Sequence, residues 1–201
     1  MTSGRGKILR LLCTVTLAAR LTSGCVYSAD NEVALNATVA QDKQYAKALK
    51  EATRSADVIN NFEMRYRVKV TRLEPSFRAA FAKRFADVYR QQGPVFEEAD
   101  AKTGFFVSIM SPEHKAIDLE NAYHWNIFLT TKDGDIKPAS VKKLNDKLRW
   151  TPFFDFVDPW SQEYLLVFDK AAGEANAPDL VEKNLLSLTF ANADAKVSFA
   201  W

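Results

Sequence analysis

A chain of 201 residues with a formal charge of +2 is long enough to bury one sizeable core, and too near neutrality to offer nucleic acid an electrostatic footprint. Hydrophobic residues make up 47% and aromatic ones 12%, against only 7 Gly and 7 Pro, which excludes a low-complexity or disordered chain. Two cysteines, Cys13 and Cys25, are too few for a disulfide framework or a cysteine-based metal cluster.

Residues 1–10 carry Arg5, Lys7 and Arg10 and no acid. Residues 11–19 are apolar, and Leu21-Thr22-Ser23-Gly24-Cys25 follows. A basic start, a short apolar run and small residues before a cut are the three parts of a secretory signal. The run is far short of the roughly 20 residues that cross a bilayer as a helix. Ser23 and Gly24 before Cys25 resemble the lipobox of bacterial lipoproteins. The resemblance covers residues 1–25. It implies that 1–24 are removed as a signal peptide and that Cys25 is acylated, with palmitate-like chains on the thiol and the new amino terminus. Residues 25–41 then tether a single domain, 42–201, to the cell envelope. More than one acyl chain makes such attachment stable. Val26, with no acid after Cys25, implies the outer membrane more than the inner. Losing the leader removes Arg5, Lys7, Arg10 and Arg20, so the mature charge turns slightly negative, and it removes Cys13, so Cys25 has no disulfide partner.

Residues 26–41 are small and polar and read as the tether; the sequon Asn36-Ala37-Thr38 within them is a common chance match, and the bacterial origin that the lipobox resemblance implies would leave it unused. From Asp42 to Asn60, Tyr45, Leu49, Ala52, Ala56 and Ile59 recur at helical steps and predict an amphipathic helix. Phe62, Met64, Tyr66, Val68 and Val70 then alternate with Glu63, Arg65, Arg67, Lys69 and Thr71, which predicts a long half-buried strand. Its row of Arg65, Arg67 and Lys69 reads as a solvated face that guards an edge, in preference to a site for an anionic surface. Pro75 opens a second helix, with Phe77, Phe81, Phe85, Val88 and Tyr89 on its apolar stripe and Gly93-Pro94 stopping it. Residues 105–110, 124–130 and 164–168 are strand-like runs, and Asp133-Gly134 is a turn. Val141, Leu144 and Leu148 predict a short helix over 140–150. Residues 186–201 read as a hairpin about Asn192-Ala193-Asp194. The fold class is α+β, an antiparallel sheet with two amphipathic N-terminal helices packed on it.

Chemistry is sparse. His114 and His124 stand outside any metal-ligand spacing, and a metal site would need carboxylates from elsewhere, such as Asp118 and Glu120. There is no Gly-x-Ser-x-Gly elbow and no phosphate-binding glycine loop, and adjacent pairs such as Glu97-Glu98 do not converge on a substrate by themselves. No catalytic residue, metal or cofactor is expected on these grounds. The stretch that stands out is residues 150–160, where Trp150, Phe153, Phe154, Phe156 and Trp160 surround Pro152 and Pro159, with Asp155 and Asp158 between them. These five rings are the candidate binding residues, aromatic anchors for a sugar, a peptide or a partner protein. The alternative, favoured by the general burial of aromatic side chains, is a proline-shaped connection with its rings tucked under the sheet. The expectation is a non-enzymatic envelope lipoprotein in a binding, scaffolding or accessory role, held to the membrane by its anchor and meeting an envelope protein partner. A lipid-anchored hydrolase and a soluble periplasmic ligand-binding protein are the alternatives.

Overall fold

The computed structural model describes residues 42–91, 96–99, 102–113, 117–169 and 186–201. The leader, Cys25, the tether, Gly93-Pro94 and His114 lie outside the described residues. The class is α+β, and every strand pairing is antiparallel.

Helix α1 (Lys43–Ala52) starts where the Asp42 carboxylate accepts the backbone N–H of Tyr45 at 2.9 Å, an N-cap. It ends at Ala52, not near Asn60. Residues Thr53–Asn60 form strand β1, which turns back into β2 (Glu63–Arg72). The helical spacing of Ala56 and Ile59 is overridden because pairing with β2 buries part of Ala56 and Val58 against the core, a gain that no local periodicity reports. Helix α2 (Pro75–Tyr89) begins on Pro75 as predicted and closes on Arg90 in a left-handed conformation.

The strands make two sheets in place of the single one expected. One has five strands in the order β1-β2-β3-β7-β6, with β3 Thr103–Met110, β6 Ser140–Leu144 and β7 Ser161–Phe168. The other has four in the order β5-β4-β8-β9, with β4 Asn126–Thr131, β5 Gly134–Ile136, β8 Ser187–Ala191 and β9 Lys196–Ala200. The helix predicted over 140–150 is strand β6 followed by the single turn α3 (Lys147–Trp150). Leu148, part of that predicted stripe, is exposed. Strand β2 lies between β1 and β3, so Arg65, Arg67 and Lys69 do not guard an edge. Arg67 instead grips Asp57 of β1 through two bonds of 2.8 and 3.0 Å.

Two cores share the five-stranded sheet. On one face Tyr66, Val68, Val70, Phe105, Val107, Ile109, Tyr164 and Leu166 meet Ile127, Leu129, Leu188 and Phe190 of the second sheet. On the other face Phe106, Leu165 and Val167 meet Tyr45, Leu49, Phe77, Phe81 and Phe85 of the helices. Arg84, buried on α2, binds the two helices to residues 150–160: it ion-pairs with Asp42 at 3.5 Å, stands over the Tyr45 ring and donates to the Pro152 carbonyl.

Two positions expose the cost of close geometry. A Cβ on Gly104 would come within 2.5 Å of the Ala99 Cβ and 3.2 Å of Leu73, so Gly104→Ala is expected to destabilise by about 1–3 kcal/mol in urea unfolding. At the β1–β2 turn Asn61 and Phe62 hold φ of 50° and 65°, and the Phe62 ring is fully exposed. A bulky residue there strains the backbone and no packing offsets it. Phe62→Gly is therefore expected to raise stability by about 1 kcal/mol, read as a higher urea midpoint at unchanged slope.

Candidate functional site

Register sets what the helix-side face of the large sheet presents. Thr71, Phe106 and Leu165 sit abreast on β2, β3 and β7; Lys69, Ser108 and Glu163 form the next row; Arg67, Met110 and Ser161 the one after. The first row is covered by Phe154, whose ring stacks on Phe106 at 3.8 Å and 4°. Beyond it the helices no longer reach, and Lys69, Ser108, Arg67, Met110 and Ser161 of the next two rows line a cleft of 230 Å³ together with Asp155, Phe156 and Asp158. Its basic side is Arg67 and Lys69, the latter with its ammonium 5.1 Å from the Phe156 ring; its acidic side is Asp155 and Asp158.

Glu163 lies behind this cleft and is 1% exposed. Its carboxylate accepts the Ser161 hydroxyl, and the Ser108 hydroxyl at 3.3 Å, with the Lys147 ammonium 3.9 Å away. Burial pushes its pKa up, and the two hydroxyls and the Lys147 charge oppose that rise without cancelling it. Lys147 is committed to the carbonyls of Asp158, at 2.7 Å, and Ser161. Asp158 caps the start of β7 by accepting the N–H groups of Trp160 and Ser161. This network fastens the aromatic segment to the sheet.

The five rings of residues 150–160 do not act together. Phe153 and Phe154 are fully buried, Phe153 against Phe81 at 4.9 Å and Phe85 at 5.4 Å. Trp150 is buried in a stack with Phe96, and its indole N–H has no partner. Phe156 is partly buried and walls the cleft, while Trp160 is exposed. Of the five, Trp150 lines a second cleft beside Glu97, Glu98 and Lys142, and Phe156 lines this one. Arg67, Lys69, Ser108 and Ser161, which complete that space, carry no signature in the linear sequence beyond the alternation of β2; the strand register alone brings them together.

Elsewhere, His124 is exposed in the turn before β4, and Glu120 accepts the backbone N–H of Lys143. Glu98 pairs with Lys142 at 2.8 Å beside a second shallow cleft that includes Glu97, Arg149 and Trp150. Among the described residues no three His, Cys, Asp or Glu side chains are placed to hold a metal ion, and no helix is long and apolar enough to cross a membrane. Compared with family models, with curated proteins and with solved structures, the chain matches none.

A buried acid with a raised pKa favours the fold at low pH. Below the unfolded pKa both states are protonated and no penalty exists; as pH rises through the folded value, ionising Glu163 costs the native state. Glu163→Gln keeps the shape and removes that charge. The variant is expected to gain stability relative to wild type at neutral pH, and the gain is expected to shrink as pH falls toward 4, in urea titrations at a series of pH values.

Proposed function

We propose that the chain is a lipid-anchored envelope protein, held at Cys25 and more at the outer than the inner membrane, whose domain binds a partner without catalysing a reaction. The helix-side cleft is the binding site in this reading. What supports it is the cleft's composition: a basic wall of Arg67 and Lys69, an acidic wall of Asp155 and Asp158, and the Phe156 ring between them. A space of 230 Å³ is below the usual range for drug-sized ligands and suits one or two side chains of a protein segment that bears both charges. The two N-terminal helices pack on the same face of the sheet and contribute no residue to the lining of that space.

One observation favours the hydrolase alternative, the buried Glu163 with its raised pKa beside a serine hydroxyl. Its partners argue against that use. The Ser161 hydroxyl accepts the Asp158 N–H at 3.0 Å and faces the Asp158 carbonyl at 2.9 Å as well as Glu163, so the group is held by the loop it fastens.

Fatty-acid labelling in cells is expected to mark the wild-type protein and to lose both label and membrane association in Cys25→Ala; label retained in the variant, or absent from wild type, overturns the anchor. For the cleft, a photoreactive side chain at Phe156 is expected to capture an envelope polypeptide, and Asp155→Ala together with Lys69→Ala is expected to abolish the adduct. The same adduct formed from a probe at Asp133, in the β4–β5 turn, overturns the cleft as the site.

A further inference from the structure

The large apolar side chains exposed among the described residues are Ile59, Phe62, Tyr123, Leu148 and Trp160. Four of them share one end of the two sheets. Ile59 and Phe62 form the tip of the β1–β2 hairpin. Trp160 directly precedes β7, whose first residue, Ser161, pairs with Met110, which in turn pairs with Arg67 in the first half of β2. Tyr123 precedes β4, and at the same place Trp125 packs edge-on against Tyr66 at 5.2 Å while Asn192, after β8, donates to the Tyr66 hydroxyl. The starts of β2, β4 and β7 thus point the same way, and each carries an exposed ring. The opposite end is closed: Trp201 packs on Phe105 at 5.3 Å and its indole N–H donates to the Ala52 carbonyl.

We propose that this end is a membrane-contacting surface, with Ile59, Phe62, Tyr123 and Trp160 seated in the interfacial layer of a phospholipid bilayer. The inference rests on the lipid-anchor reading and adds an orientation to it. The rings stand on separate turns and share no groove, which suits a fluid surface better than the pocketed surface of a protein. Tyr and Trp carry an apolar body and a polar tip and settle at the headgroup level. Among the described charges nearby, Arg65 pairs with Glu63 and Glu113 and Arg67 with Asp57, so these cations are answered within the fold and do not demand anionic lipid. Asp42, the first described residue of the domain, pairs with Arg84 beside Pro152, in the segment that leads to Trp160. Fully extended, the stretch from Cys25 to Asp42 reaches at most about 60 Å, enough for this end to meet the membrane that holds the anchor. Anchoring also makes the encounter intramolecular, so a few weakly inserting rings suffice. Phe62 keeps its ring where glycine would relieve the backbone, a choice that serves the surface and not the fold.

The test places the purified mature protein in phosphatidylethanolamine vesicles with and without brominated acyl chains and reads tryptophan emission. Trp125 and Trp150 are buried, and the partly buried Trp201 packs on Phe105 at the opposite end, so bromine quenching is expected to come from Trp160, to vanish in Trp160→Phe and to reappear when Phe62→Trp is added to that variant. In Trp160-containing protein, Phe62→Gly with Tyr123→Ser is expected to lose the quenching while the urea midpoint does not fall, which unfolding could not produce. Wild-type emission unaffected by brominated lipid, or quenching that survives the double substitution, overturns the proposal, as does a photoreactive side chain at position 62 that captures protein in place of lipid. If the mature protein carries no acyl chain, the anchor reading fails by itself. Coupling the Cys25 thiol to a maleimide lipid in the same vesicles then lets the same quenching decide for or against the docking surface.

Discussion

The architecture follows from two strands that are dry on both faces. Six of the eight residues of β3 are buried in succession, and in β7 every residue but Gln162 is buried. Backbone groups there can be satisfied only by neighbouring strands, and side chains pointing both ways need cover. One sheet must therefore lie between two partners, the smaller sheet on one side and the helices on the other. Loosening either layer would expose Phe105 and Leu166 or Phe106 and Leu165, side chains that together supply much of the apolar burial on which a domain of this size depends.

The cleft exists because the helical layer is too short for the sheet it covers. Helix α1 has ten residues and rises about 15 Å and the fifteen residues of α2 about 22 Å, whereas the ten-residue strand β2 spans about 33 Å. Residues 150–160 fill part of the shortfall with Phe153 and Phe154, and at the row of Lys69, Ser108 and Glu163 the face turns polar. Burying Glu163 there is tolerable since Ser108, Ser161 and Lys147 answer it, and those same partners hold the loop in place. Removing one partner would thus disturb both the carboxylate and the wall of the cleft.

What was legible in the linear sequence is what local physics decides. The alternation through β2 and the apolar stripe of α2 both predict their elements because each buries one face at a fixed period. The Asn192 turn is equally local: its side chain accepts the N–H groups of Asp194 and Ala195 within the same few residues. Strands β1 and β6 were illegible for a common reason. Both are edge strands of the large sheet, only partly buried, so their patterns are weak and their pairing with β2 and β7 decides them. The segment 150–160 was legible as unusual, yet which rings turn inward depends on where Phe81 and Phe106 stand, and those lie on elements far off in sequence. The rows that make the cleft are a product of register, which no single strand encodes.

The two ends of the sheets obey different rules, and the difference bears on function. At the end of Trp201, aromatic and cationic groups are used inwardly: Arg54 stands over the Trp201 ring and donates to the Ala200 carbonyl, joining β1 to β9. At the end of Phe62 the rings of the described turns are exposed, and Phe62 puts a large side chain on a left-handed backbone with no packing to offset it. A domain selected for stability alone would place glycine or asparagine there, since either relieves a left-handed conformation at no loss of packing. Local rules broken without a compensating contact within the fold point to a contact outside it. The same reasoning separates Phe62 from Phe153 and Phe154, whose rings are accounted for by the core and ask for no partner beyond it.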